Sequence, residues 1–330
     1  MPSVKVKTNA GSLHINYTIS TPTNPTAKSI EKNIPTIIFL HPVYMGQEIY
    51  HQQFADPQLR KFNLIVMETR GHGDTSGKVG KTFSRVEAAD DVKKFMDALR
   101  LPACHIIGLS MGACIGLQTA ITYPEKVLSV TMISPLPLEE PEDVAAGRLE
   151  IYECWCEGIQ GDKSALKDAL WGACQLGFNS SNTSMVTALT TRIYPQALKN
   201  WSLKNLDDFR AISVNFFVDR KAHPTETLAK VKCPVHLIHC GGDIAYPFEF
   251  VTELQHAMQK AGVDVHVSTV LDAPHFGPVT HPKEINRMCH DWVSDLTNTP
   301  VPTVVTAVSP FHATLKKCGL DADDEADFSS

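Results

Sequence analysis

The chain has 330 residues, 43% hydrophobic and 20% charged, ordinary values for a globular protein long enough to bury a sizeable core. Its net charge of -6 and pI near 6.1 come without a basic stripe, which excludes nucleic acid as a partner. No stretch approaches the roughly 18 uninterrupted apolar residues of a transmembrane helix, and Met1 to Lys7 lack the apolar run of a secretory leader, so a cytoplasmic protein is expected.

In chain order, alternating runs at 3–8 and 12–20 predict an antiparallel hairpin that turns at Asn9-Ala10-Gly11. A polar loop follows over 21–33. Apolar runs at 36–40, 64–68 and 105–109 predict buried parallel strands. Between the last two, Val86, Ala89, Val92, Phe95, Met96 and Leu99 recur at helical spacing and predict a helix over 83–99. A further strand is predicted at 128–133, and the alternation of strand and helix implies a doubly wound α/β sheet. From 136 to 230 the texture becomes helical and aromatic, with Trp155, Trp171 and Trp201 among its large rings. Strands resume at 234–239 and 263–271, and an amphipathic helix closes the pattern over 283–296. The expected organisation is an α/β core, 1–135 and 231–297, interrupted by a helical cap, 136–230. A tail, 298–330, is expected to be mobile, its acidic run Asp321-Ala322-Asp323-Asp324-Glu325 solvated.

The chemistry centres on Gly108-Leu109-Ser110-Met111-Gly112, which lies between an apolar strand and the small-residue helical stretch Ala113-Cys114-Ile115-Gly116. Strand, sharp turn and helix make G-x-S-x-G a nucleophile elbow. The turn strains the serine backbone, and glycines two residues either side let strand and helix approach closely. It also sets the Met111 amide at a helix N-terminus, where an unpaired donor and the helix dipole favour a developing oxyanion. A serine hydroxyl is a poor nucleophile without a base and an acid that orients the base. Asp243 follows the strand at 235–239 through Cys240-Gly241-Gly242, and His275 follows the strand at 265–271 through Asp272-Ala273-Pro274. Both fall at carboxyl ends of strands, where open α/β sheets place their sites. The rivals are Glu139 and Glu140 for the acid, and His281 for the base.

Other chemistries are disfavoured. His236 and His239 lie three apart on one strand and face opposite sides, and no His-Glu-x-x-His helix occurs, so no metal is expected. No G-x-G-x-x-G separates an early strand from a helix, and no cofactor is expected. The nine cysteines are odd in number and lack C-x-x-C pairs; buried free thiols are expected, with Cys154 and Cys156 diverging on a cap helix.

Taken together, Leu40-His41-Pro42, Arg70-Gly71-His72-Gly73, the elbow, Gly242-Asp243 and Pro274-His275 give the chain, over about 34–296, a resemblance to α/β-hydrolase-fold enzymes of the capped esterase, lipase and enol-lactonase branch. The resemblance implies a mostly parallel central sheet with helices on both faces and a helical cap inserted after the sixth strand. It also implies Ser110 as nucleophile, His275 as general base and then acid, and Asp243 as the group that holds the imidazole tautomer. It places a second oxyanion donor in the loop after the third strand, His41-Pro42-Val43-Tyr44-Met45-Gly46. Proline has no N–H, so the donor there is Val43. Tyr44 reads either as an added phenolic donor or as packing. His72 reads as a turn residue, and Glu68, where relatives often carry Asp, as a structural carboxylate near Arg70.

The expected activity is hydrolysis of a small to medium hydrophobic carboxylic ester or lactone, a small-molecule substrate reached through a covered pocket to which Trp155 and Trp171 contribute. Serine at the elbow argues against dehalogenase and epoxide hydrolase chemistry. C–C bond hydrolysis, thioester hydrolysis and acyl transfer stay open, as does a small-molecule receptor with little turnover.

Overall fold

Eight strands form the sheet of the computed structural model, which describes residues 2–297, 302 and 306–321. They are β1 (Ser3–Thr8), β2 (Gly11–Ser20), β3 (Thr36–Leu40), β4 (Asn63–Met67), β5 (Cys104–Leu109), β6 (Val127–Ile133), β7 (Val235–Cys240) and β8 (Val265–Val270). Their spatial order is β1-β2-β4-β3-β5-β6-β7-β8. β1 and β2 pair antiparallel, and β2 lies antiparallel to β4. All pairings from β4 to β8 are parallel, as helical crossovers require.

Side-chain alternation divides the core between the two faces of the sheet. Ile38 and Leu40 point to a layer that includes Phe95, Met96, Ile115 and Leu254, from the helices Arg85–Ala98, Met111–Thr122 and Phe248–Lys260. Ile37 and Phe39 point the other way, to Phe54 and to Ile285, Cys289 and Val293 of the helix Pro282–Asp295. β3, β4 and β5 are buried on both faces, which is why they read as unbroken apolar runs.

Between β6 and β7 the chain leaves the sheet for a helical insert built on Glu142–Ile159, Lys163–Phe178 and Ser184–Asn200. Trp201 stacks on Phe209 with centroids 4.6 Å apart, and the Trp155 indole N–H donates to the Trp201 carbonyl at 2.8 Å. These aromatics are first of all the insert's own core. The insert is tied down on two sides. Trp201 Nε1 donates to Gly71 O and Asn200 Nδ2 to Gly73 O, while the Phe276 amide donates to Gly177 O, each at 2.8 Å.

The C-terminal segment corrects the expectation of a solvated tail. Phe311, Leu315 and Leu320 are buried in the second core layer, and the short helix His312–Lys317 carries the middle one. Arg60 Nη1 donates to the Val308 carbonyl at 3.0 Å, and Ser309 Oγ lies 2.9 Å from His51 Nδ1. Three apolar side chains inside a Thr/Pro/Val-rich stretch were enough to dock it. The acidic run lies outside the described residues except for Asp321, which is exposed.

Candidate active site

Ser110 follows β5 directly and precedes the helix Met111–Thr122, with φ 55° and ψ -111°, a strained backbone for a residue with a Cβ. Its amide donates to the Ile133 carbonyl at 3.0 Å, and its own carbonyl accepts from Ala113 and Cys114. The hydroxyl is thereby carried above the carboxyl edge of the sheet.

Asp243 and His275 reach the same point from β7 and β8. At Gly242 the first loop crosses the second so closely that a Cβ would sit 2.6 Å from the Asp272 carbonyl oxygen. Asp243 Oδ1 accepts from the amides of Ala245 and Tyr246 at 3.0 and 3.1 Å, which fixes the carboxylate. His275 Nδ1 lies 2.5 Å from Asp243 Oδ2, and His275 Nε2 lies 2.8 Å from Ser110 Oγ. A carboxylate only accepts, so the proton is on Nδ1, and Nε2 is left to accept the serine proton. The Ser134 hydroxyl donates to the His275 carbonyl at 2.6 Å and pins the imidazole's own backbone. All three side chains are nearly closed to solvent, Ser110 and His275 at 1% exposure. Such a chain can take a proton from the serine hydroxyl as it attacks an electrophile.

The loop after β3 is set by His41. Its Nε2 accepts from the Thr69 amide at 2.9 Å, so its Nδ1–H donates to the Pro42 carbonyl at 2.8 Å. Burial pushes this imidazole down to about 4, which keeps it neutral and the tautomer fixed. In a trans peptide the carbonyl and the following N–H point in opposite directions, so the Val43 N–H faces away from His41. Among the described residues, neither the Val43 nor the Met111 amide has a protein acceptor.

The rivals have other partners. Glu140 is bound by Arg148 at 2.6 Å and Arg220 at 2.9 Å, Glu139 is exposed, and His281 contacts the Thr280 hydroxyl. His236 meets Ser268 Oγ and Trp292, whereas His239 packs on Phe248. His72 is a turn residue, its Nδ1 against the Arg70 carbonyl at 2.9 Å. Among the described residues no cluster of three His, Cys, Asp or Glu side chains is suited to a metal ion.

A cavity of about 470 Å³ is lined by Tyr44, Met45, Trp155, Trp171, Tyr194 and Phe209, and a neighbouring one of about 420 Å³ by Arg148, Ile151, Trp171 and Ile244. Ser110 lines neither; the wall of the first includes Tyr44, which follows Val43 in the chain. Trp155 is buried and Trp171 is 63% exposed, at the rim shared by both cavities. Sequence reasoning missed Arg148, Tyr246 and Ser134. For Arg148 a signal existed: with Ile151, Tyr152 and Trp155 it occupies i, i+3, i+4 and i+7 of the helix Glu142–Ile159, an arginine on an apolar stripe.

Glu68 is buried rather than paired with Arg70, which binds Asp91 at 2.5 and 2.8 Å. Its Oε2 accepts from Asn16 Nδ2 at 2.8 Å and from the Asp74 amide at 2.7 Å. Burial, and then the neighbouring Glu48 carboxylate, push Glu68 from 4.5 up to about 7. The folded state therefore binds the proton more tightly than the unfolded chain. Its contribution is full below about 4.5 and is lost as pH rises towards 7, by about 3 kcal/mol. Urea titrations across pH 4 to 8 are expected to show a fall in stability that Glu68→Gln removes.

A family profile described as "alpha/beta hydrolase fold" matches residues 35–228, well over half of the chain. The chain belongs to the α/β-hydrolase-fold family. Among curated members, a 3-oxoadipate enol-lactonase of Acinetobacter baylyi is 22% identical over 80% of this chain and 91% of its own length. An acetyltransferase component of the acetoin cleaving system of Cupriavidus necator is 31% identical over 31% of this chain. The chain spans only about a quarter to a third of the length of that protein and of several other curated relatives it matches. Among solved structures, a thermophilic esterase from Thermogutta terrifontis superposes with a TM-score of 0.65 at 17% identity, covering 90% of this chain and 99% of that one. The enol-lactonase from Burkholderia xenovorans superposes at 0.63 and 18% identity, covering 88% of this chain and 100% of its own. The α/β-hydrolase fold of this chain, with its helical insert after β6, is common to both the sheet topology and the family match. No helix among the described residues is long and apolar enough to cross a membrane.

Proposed function

We propose that the protein is a serine hydrolase of small to medium hydrophobic carboxylic esters or lactones, with an acyl-enzyme formed on Ser110. The observation that carries this reading is the hydrogen-bonded chain from Ser110 Oγ to His275 Nε2 at 2.8 Å and from His275 Nδ1 to Asp243 Oδ2 at 2.5 Å. Ser110 Oγ attacks the acyl carbonyl while His275 takes its proton, and Asp243 stabilises the imidazolium. The carbonyl oxygen becomes an oxyanion between the Val43 and Met111 amides, the latter at the positive end of a helix. His275 then protonates the leaving alkoxide. In the second half it deprotonates water, which attacks the acyl-enzyme, and the acid leaves as Ser110 recovers its proton. The insert at 136–230 acts as a lid over the core formed by 1–135 and 231–297, and its apolar cavity beside Tyr44 suits a compact acyl group better than a polymer.

p-Nitrophenyl esters of increasing acyl length test this reading. A burst of nitrophenol equal to the enzyme concentration, followed by turnover that is fastest for short and medium chains, is expected; equal rates for long-chain and short esters would count against the covered pocket. Acyl transfer is a second reading, favoured by the acetyltransferases among the partial relatives. It predicts that added ethanol diverts the acyl group into ethyl ester at the expense of the free acid.

A further inference from the structure

One buried arginine of the insert reaches towards the triad. Arg148 stands on the helix Glu142–Ile159 at 1% exposure, and its Nη2 donates at 2.8 Å to the hydroxyl of Tyr246, a core residue between β7 and the helix Phe248–Lys260. The same hydroxyl donates to Glu140 Oε1 at 2.8 Å, and Arg148 Nε donates to that oxygen at 2.6 Å. Guanidinium, carboxylate and phenol thus close a triangle of hydrogen bonds that holds the tip of Tyr246 from two sides. The guanidinium is itself fixed against the Phe217 ring, 3.5 Å from its centroid. A buried polar network of this kind rigidifies the segments it joins.

The other end of Tyr246 touches the triad. Its backbone amide donates at 3.1 Å to Asp243 Oδ1, while the second oxygen of that carboxylate, Oδ2, lies 2.5 Å from His275 Nδ1. Its ring lies 5.2 Å from the His275 ring at an angle of 45°, so it also bounds the space in which the imidazole can swing. The loop that carries Asp243 leaves β7 at Cys240, and the phenol of Tyr246 is its anchor at the far end. The charges fit this arrangement. Arg148 and Arg220 are two cations, Glu140 and Asp243 two anions, and the buried group balances; without Arg148 it would hold an excess negative charge. Arg220 donates to Glu140 Oε2 at 2.9 Å and to the Pro137 carbonyl, on the side of Glu140 away from Tyr246.

We infer that Arg148 is a positioning residue for the triad: through the Tyr246 hydroxyl it keeps the Tyr246 amide on Asp243 Oδ1, and so sets the carboxylate that orients His275. The inference rests on the hydrolase reading of Ser110 and adds to it a residue from the insert. Its action is indirect, and no covalent step is added. The insert is then more than a cover, because the acid is aligned only when the helix Glu142–Ile159 is seated on the core. Triad members act as a unit, so a small displacement of the acid is felt in kcat rather than in substrate binding.

Tyr246→Phe carries the test, because it removes one oxygen and keeps the ring and the amide. It is expected to lower kcat for p-nitrophenyl acetate about tenfold with KM within about twofold, and to slow labelling by an aryl organophosphonate by a similar factor. Arg148→Met is expected to lower kcat further, at a cost in stability because a buried carboxylate loses a partner. Arg220→Met is the comparison: it unpairs the same carboxylate and lowers the urea midpoint, yet is expected to keep kcat within about threefold. The readout that a merely structural role would not move is the Nδ1 proton of His275. Its short bond to Asp243 deshields it, and its downfield resonance in proton NMR is expected to shift in Tyr246→Phe and Arg148→Met and to stay in place in Arg220→Met. An unmoved resonance in folded Tyr246→Phe, or a loss of kcat in Arg220→Met equal to that in Tyr246→Phe, overturns the positioning role and leaves the hydrolase reading standing. A wild-type protein that neither turns over esters nor takes the label overturns the hydrolase reading; a resonance that then moves in Tyr246→Phe and not in Arg220→Met still supports the control of His275 through Arg148.

Discussion

Replacing Ser110 with alanine is expected to lower kcat/KM for p-nitrophenyl acetate by about 10⁴-fold to 10⁶-fold while leaving the urea midpoint close to that of the wild type. The reason is geometric. The hydroxyl is the group aligned on His275 Nε2, 2.8 Å away, and that imidazole is held in one tautomer by Asp243 and by the Ser134 bond to its own carbonyl. The three groups act as a unit, so removing the nucleophile leaves the base with nothing to activate except water. Stability barely changes because the serine hydroxyl contributes one hydrogen bond, and alanine relieves none of the backbone strain at φ 55°. An aryl organophosphonate gives an independent readout: one equivalent is expected on the wild-type protein and none on Ser110→Ala. Labelling of the variant, or a folded wild-type protein that stays unlabelled, would sink the assignment of Ser110.

Gly112→Ala is expected to cost about 3 kcal/mol or more, with the elbow distorted even where the chain still folds. A Cβ at this position would lie 1.9 Å from the Leu40 carbonyl oxygen and 2.5 Å from the carbonyl carbon, at the end of β3. Both are backbone atoms of a buried strand, and neither can move without shifting the loop that carries Val43. The same substitution four residues along is the control. At Gly116 the nearest atom to a new Cβ is the Ile106 Cγ2 methyl at 3.0 Å, a side-chain terminus that can yield. Alanine is also favoured over glycine in a helix by about 1 kcal/mol. Gly116→Ala is therefore expected within about 1 kcal/mol of the wild type. Urea midpoints measure both, and a Gly112→Ala protein with wild-type midpoint and activity would show that the strand and helix are not in the contact described.

Much of the core was legible because its signals are local. The parallel strands are buried on both faces and so appear as unbroken apolar runs, and the helix Arg85–Ala98 shows its apolar stripe at 3.6-residue spacing. Ser110, Asp243 and His275 were legible for a related reason: each sits in a loop directly after a predicted strand, so chain order places all three at one edge. Pro42 could be struck out as a donor from covalent chemistry alone. The insert resisted such reading. Its helices are recognisable, but which face of each turns inward depends on three-dimensional partners, and the aromatics that pack on one another are up to about sixty residues apart in the chain. The docked segment around Phe311 and Leu315 was missed because three apolar residues in a polar stretch have no periodicity, and only the groove beside Phe54 and the helix Pro282–Asp295 gives them somewhere to go.

The sequence by itself determined the α/β core, the elbow, the residues that follow the late strands, and that Pro42 has no N–H to donate. Those depend on periodicity, on glycine's missing Cβ and on proline's missing N–H, all properties of short segments. Only the tertiary structure decided that His41 orients the Pro42–Val43 peptide, that Glu68 is buried against Glu48, and that Arg148 and Arg220 share the single carboxylate of Glu140. The physical reason is that burial and the pairing of charges are sums over groups distant in the chain. Arg148 and Arg220 lie 8 and 80 residues from Glu140 in the chain, and they meet on its carboxylate only once the insert has folded.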